Sequence, residues 1–170
     1  SGVGKTSREI SFAIEKKILL INAESKSEIL EIEKIARIKR KKVNIGIRLN
    51  PNTDAKTLSQ ISTGKKENKF GVNEKTFLEL ISYCQNSKNI QLECLSVHIG
   101  SQILDHKPYE KMLNVIDKII DKTKQKFKFI DLGGGMGISY DDNSKKLNYF
   151  KYNIAIKKFL KKHASKIIFE

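Results

Sequence analysis

Cysteine and proline are scarce in this 170-residue chain, with two of each. Cys84 and Cys94 make neither a disulfide framework nor a zinc-ligand spacing. One falls in a helical pattern and one in a strand pattern, so both read as small buried hydrophobes in a reducing, cytoplasmic setting. No metal site is expected. No apolar run approaches the roughly 20 residues that span a bilayer, and no signal-peptide pattern stands at Ser1, so no membrane partner is expected either. Apart from Pro51 and Pro108 there is no proline, and no low-complexity linker interrupts the sequence, which therefore reads as one structural unit. Acidic residues are also in deficit: 19 Asp+Glu against 33 Lys+Arg leave a formal net charge of +14. That balance invites a nucleic-acid reading. Against it, the cations are spread over every predicted helix, as in Glu15-Lys16-Lys17 and Lys157-Lys158, with no basic stripe interleaved with aromatics. The richest run, 37–42, closes a helix, where cations complement the dipole and are solvated. The charge thus reports AT-rich coding and solubility, and no nucleic-acid partner is expected.

Helical and strand patterns alternate along the chain, which argues for a parallel α/β architecture. Helices are predicted over 8–15, 27–39, 74–84, 109–123 and 152–163. Strands are predicted over 18–22, 43–49, 92–98, 127–132 and 166–169. Ile29, Ile32, Ile35 and Ala36 recur at helical spacing, as do Phe77, Leu80 and Ile81, and then Met112, Val115, Ile116, Ile119 and Ile120. A long polar loop fills 50–69.

Two segments carry chemistry. His98-Ile99-Gly100-Ser101-Gln102 and Asp131-Leu132-Gly133-Gly134-Gly135 each follow an apolar run, which puts polar and glycine residues at strand carboxyl ends. There α/β barrels keep their active sites. A glycine triplet lets backbone approach a ligand closely and leaves several N–H groups free to converge on an anion, phosphate foremost. His98 offers a flat ring for stacking, and Ser101 a hydroxyl for a phosphate oxygen. Together they describe a pocket for a planar phosphorylated ligand. Taken singly, a GGG can be only a turn, and a histidine after an apolar strand only a hydrogen-bonded structural residue.

Seven stretches taken in order resemble the barrel domain of the bacterial diaminopimelate decarboxylase family. They are Ser1-Gly2-Val3-Gly4-Lys5-Thr6, Ile21-Asn22-Ala23-Glu24-Ser25, Arg48-Leu49-Asn50-Pro51, Ile61-Ser62-Thr63-Gly64, Glu67-Asn68-Lys69-Phe70-Gly71, His98 to Gln102, and Asp131 to Ile138. Ornithine and arginine decarboxylases share the His and GGG elements; the Asn-Pro, Ser-Thr-Gly and Lys-Phe-Gly series points to the diaminopimelate branch. The resemblance implies decarboxylation of meso-2,6-diaminopimelate to L-lysine, the last step of lysine biosynthesis, with pyridoxal 5'-phosphate as cofactor and a small amino acid as substrate. It also implies a head-to-tail homodimer of the complete protein. A (β/α)8 barrel takes about 250 residues, so the fold class expected is a partial TIM-type barrel of about five β/α units spanning 1–170. The first barrel strands and a C-terminal β-domain are expected to lie outside the chain. By itself this piece is expected to be inactive and, with open strand edges, poorly soluble or loosely packed.

The same resemblance distributes roles. His98 stacks on the pyridine ring; Ser101 with Gly133, Gly134 and Gly135 binds the phosphate; Arg48 lies near the ring and His98. In the family the strand after the GGG segment ends in Glu-Pro-Gly-Arg, and Glu170 stands in that glutamate's place after Ile167-Ile168-Phe169. A carboxylate there keeps the pyridine nitrogen protonated and the ring a stronger electron sink. His98 and Glu170 are thus the expected catalytic residues. The Schiff-base lysine of the family belongs to the first barrel strand, upstream of Ser1, so neither Lys5 nor Lys69 takes that role. Ser62, Thr63 and Gly64 are candidates to shape the site.

Two alternatives stand beside this reading. One is another decarboxylase of the same barrel, acting on ornithine, arginine or carboxynorspermidine. The other is a P-loop nucleotide-binding protein, since Gly2-Val3-Gly4-Lys5-Thr6 resembles the end of G-x-x-x-x-G-K-[ST]. The first glycine of that motif would precede Ser1, and no apolar strand ends in an aspartate suited to magnesium.

Overall fold

In a computed structural model, which describes residues 1–53, 70–140 and 146–170, helices and strands alternate through the chain. Their order is α1 (Ser7–Glu15), β1 (Ile21–Ala23), α2 (Lys26–Ile38), β2 (Val43–Arg48), α3 (Glu74–Asn86), β3 (Ile90–Ser96), α4 (Lys107–Thr123), β4 (Phe129–Asp131), α5 (Tyr149–Leu160) and β5 (Lys166–Ile168). The five strands form one sheet in the order β1-β2-β3-β4-β5, every pair parallel. Each strand thus lies beside its successor and the intervening helix crosses over, the connectivity of a partial TIM-type barrel.

Capping marks the helix starts. Thr6 and Glu9 form a capping box on α1, and the side chains of Ser25, Asn73 and Asn148 each accept an N–H of their helix's first turn. Asn148 explains why α5 begins three residues before the apolar pattern implies. At their carboxyl ends, α1 and α2 close in Schellman turns. Ile18 N–H reaches Ala13 O and Lys41 N–H reaches Ala36 O, with Lys17 and Arg40 in the left-handed position at φ 52°. The basic run 37–42 therefore includes a helix stop, and Lys39 pairs with Glu15. The turn at Lys17 also corrects the strand expected over 18–22. Ile18 and Leu19 sit on the turn, 49% and 57% exposed, and pairing starts only at Ile21.

The two faces of the sheet differ. Ile45, Ile47, Leu95 and Ile130 point into the apolar core with Ile29 and Ile32 of α2, Phe77 of α3 and Ile116 of α4. By strand alternation the opposite face carries Asn22, Gly46, Arg48, Cys94, Ser96 and Asp131, so the barrel-interior side is polar toward the strand carboxyl ends. Cys84 and Cys94 are both buried free thiols, and burial raises each to about 12, so they are packing residues. Ser62, Thr63, Gly64 and Lys69 lie outside the described residues.

Candidate active site

The carboxyl ends of the five strands deliver one residue group each: Glu24 after β1, Arg48 closing β2, His98 after β3, the glycine triplet after β4 and Glu170 after β5. Arg48 donates from its guanidinium to Glu24 Oε1 at 2.8 Å, and the Phe70 ring lies 5.2 Å below the guanidinium carbon. The pair is nearly dry, with 12% and 3% of the two side chains exposed. Glu24 Oε2 is buried with no hydrogen-bond partner among the described residues.

His98 is tied to the glycine triplet. Gly134 N–H donates to His98 Nδ1 at 3.3 Å, so the neutral ring carries its proton on Nε2. Burial, then the nearby Arg48 charge, hold the imidazole below its ordinary value, while Glu170, Asp131 and Glu24 pull the other way. At neutral pH His98 is therefore an uncharged ring, suited to stacking. A histidine whose folded value is lowered takes up a proton more readily when unfolded, so its contribution to stability is present above about pH 6.5 and is lost as pH falls below that. His98→Gln is expected to flatten the acid-side fall of the melting temperature between pH 7 and 5. An unchanged slope would show that the ring titrates freely.

The turn after β4 is built by its neighbours. Gly133 has φ +64° and a Cβ there would meet His98 Nδ1 at 2.5 Å. At Gly135, φ +80°, a Cβ would fall 1.8 Å from Gly100 O. That backbone-to-backbone approach brings the loop of Ser101 against the triplet, and Ile103 N–H to Gly135 O at 2.9 Å and Gly137 N–H to Ile103 O at 3.0 Å stitch the two loops. Tyr109 of α4, fully buried, donates its hydroxyl to Gly134 O at 3.3 Å and packs against Tyr152 in a tilted ring contact, with centroids 4.6 Å apart and planes at 51°. The Ser101 side chain is exposed, and among the described residues no acceptor takes the Gly135 N–H. Donors left open beside a neutral ring fit a planar phosphorylated group.

Glu170 is held by its backbone, its N–H donating to Gly133 O at 3.1 Å. The structure therefore gathers His98, the glycine triplet, Ser101 and Glu170 around one turn, with Arg48 close enough for its charge to act on His98. Lys5 is elsewhere: it pairs with Glu28 at 2.7 Å, and Thr6 caps α1, so the residues of the P-loop reading have other partners. Among the described residues no His, Cys, Asp or Glu cluster is placed to hold a metal ion, and no helix is long and apolar enough to cross a membrane. A cleft of about 490 Å³, lined by Lys42, Gln91, Gln125 and Lys128 among others, opens at the opposite, amino ends of the strands, away from these groups.

The profile of the family described as pyridoxal-dependent decarboxylase, pyridoxal binding domain, matches residues 1–170. The chain belongs to this family. The pyridoxal-binding domain resembles curated diaminopimelate decarboxylases from Campylobacter jejuni, 40% identical over 155 residues, and Aquifex aeolicus, 35% identical over 173. These alignments cover 89% and 100% of the chain but 39% and 41% of the relatives, so the chain spans about two-fifths of their length. Among solved structures, diaminopimelate decarboxylase from Helicobacter pylori complexed with L-lysine superposes with a TM-score of 0.93 at 40% identity, covering 99% of this chain and 43% of that one. A Paramecium bursaria Chlorella virus arginine decarboxylase, at 22% identity and a TM-score of 0.73, shares the fold.

Sequence reasoning missed Glu24, Asn22, Ser96 and Tyr109 as parts of the site, and treated Asp131 as the start of the glycine motif and as an aspartate unsuited to magnesium. Ile21-Asn22-Ala23-Glu24-Ser25 was a visible signal, since it places polar side chains at a strand end.

Proposed function

We propose that the chain forms the pyridoxal-binding part of a diaminopimelate decarboxylase, which converts meso-2,6-diaminopimelate to L-lysine and carbon dioxide. The observation that carries this is the 0.93 TM-score and 40% identity to the lysine-bound Helicobacter pylori enzyme. Bound pyridoxal phosphate supplies an electron sink for the pair released when the carbon–carbon bond to the leaving carboxylate breaks. The chain's own residues bind and orient. The neutral His98 face would stack on the ring, Ser101 and the Gly135 N–H would take phosphate oxygens, since the Gly133 and Gly134 N–H groups are already given to Asp131 and His98, and the Glu170 carboxylate would hold a proton at the pyridine nitrogen. Burial first, and then the Arg48 charge, keep His98 uncharged, with Glu24 opposing the latter in part. The cofactor-bearing lysine lies outside 1–170, and the working protein is a cytoplasmic homodimer.

The test is lysine formation by the complete enzyme supplied with pyridoxal phosphate. Product is expected from meso-2,6-diaminopimelate and none from ornithine or arginine, with His98→Ala lowering kcat/KM on the order of 100-fold through lost positioning. The 170-residue chain alone is expected to form none. Release of carbon dioxide from ornithine or arginine instead would reassign the substrate within the fold.

A further inference from the structure

Asn22 sits on β1 and Asp131 on β4, with β2 and β3 between them in the sheet. Yet Asn22 Nδ2 donates directly to Asp131 Oδ2 at 2.8 Å. The sheet's curvature brings the two strands toward each other across its inner face, and Gly46 leaves the path clear. A Cβ on Gly46 would fall 1.9 Å from Asn22 Oδ1 and 3.1 Å from the Cys94 Cβ, so no side chain fits there while the amide holds its place. Ser96 Oγ donates to the same Asp131 oxygen at 2.8 Å, and Gly133 N–H donates to Oδ1 at 2.8 Å. Asn22, Ser96 and Asp131 are all buried, at 5%, 3% and 0% exposure.

An ionised carboxylate only accepts, and Asp131 meets three donors that arrive from β1, β3 and its own loop. Its plane is thereby set. Because Oδ1 holds the Gly133 N–H, the turn at φ +64° is set with it, and the next N–H, of Gly134, points at His98 Nδ1. Asn22 Oδ1 meanwhile has no hydrogen-bond partner among the described residues, although buried. Leaving a buried acceptor unpaired is costly, so the amide is oriented by what it gives to Asp131 and not by full satisfaction of its own groups.

We propose that Asn22 and Asp131 form a strut across the inner face of the sheet that positions the His98 imidazole, holding it in one orientation and in the Nε2–H tautomer through the Gly133–Gly134 backbone. Both are positioning residues, and neither touches the reacting atoms. The inference rests on the proposed pyridoxal site only for what the imidazole faces; the strut itself stands on the hydrogen bonds.

The experiment reads the ring without any cofactor. In the complete enzyme with 15N-labelled histidine, the His98 signals are assigned by their loss in His98→Gln, and the two ring nitrogens are followed at neutral pH. The parent protein is expected to show one bare and one protonated nitrogen, widely separated. In Asn22→Ala and in Gly46→Ala the two are expected to move toward each other as the second tautomer becomes populated, with pyridoxal phosphate affinity falling about tenfold. Ser96→Ala, which removes one donor and only one atom, is expected to give a smaller shift in the same direction and serves if the larger changes prevent folding. Variants that lower the melting temperature while leaving the His98 nitrogens unmoved would reduce the strut to a packing feature and overturn the proposal. Failure of every form to bind pyridoxal phosphate, with the nitrogen shifts as described, would instead count against the cofactor reading and leave the strut standing.

Discussion

Gly135→Ala is expected to abolish pyridoxal phosphate binding and to destabilise the protein by on the order of 3–5 kcal/mol, in the upper range of single substitutions. Two costs combine. A left-handed backbone at φ +80° costs a residue with a Cβ roughly 1–2 kcal/mol. The greater cost is steric: the new Cβ would lie 1.8 Å from Gly100 O and 2.9 Å from its carbonyl carbon, and both are backbone atoms. Neither loop can retreat without breaking the bonds through Ile103 that join them. Separating the loops also removes Ser101 from the triplet, which is why binding is lost along with stability. Gly4→Ala is the matched control, because Gly4 has φ +74° with nothing within 4 Å of the added atom. Urea unfolding of both variants should give a cost of about 1–2 kcal/mol at Gly4, the conformational part alone. Equal costs at the two positions would mean that the loops are not locked against each other.

The second large effect is expected at Asp131. Asp131→Leu removes the common acceptor of Asn22 Nδ2, Ser96 Oγ and Gly133 N–H, leaving three buried donors unpaired. At about 1–3 kcal/mol for each orphaned group, the loss should reach on the order of 4–6 kcal/mol. Asp131→Asn keeps one acceptor oxygen but turns an NH2 toward donors, and should fall between the parent and the leucine variant. Burial holds the Asp131 carboxyl above its ordinary value, and the three hydrogen bonds oppose that rise. An apolar replacement removes the desolvation penalty as well as the bonds. If the leucine variant unfolded within about 1 kcal/mol of the parent, the cost of desolvating the carboxylate would match what its hydrogen bonds return, and the network would not be what stabilises this end of the sheet.

The alternation of elements, the five strands, the inward faces of α2, α3 and α4, and the two motif-bearing strand ends were legible because each depends on residues a few positions apart. Periodicity of 3.6 or 2 is a local property, and so is the freedom of a glycine triplet. Strand ends were less legible. Lys17 and Arg40 occupy left-handed helix stops that glycine usually takes, so nothing in their identity announced a turn. The remainder of the site escaped sequence reasoning for a different reason. Arg48 meets Glu24 across 24 positions, and Asn22 meets Asp131 across 109. Tyr109 reads as one more apolar residue at the start of α4 until its hydroxyl is seen on Gly134 O.

By itself the sequence determined that this is a parallel α/β chain with a ring and a glycine turn at neighbouring strand ends, because periodicity and the missing Cβ of glycine act over a turn or a strand. Only the tertiary structure decided which groups orient that ring. The curvature of the sheet brings β1 within hydrogen-bonding reach of β4, and the gap at Gly46 lets the Asn22 amide span it, neither of which any local pattern encodes.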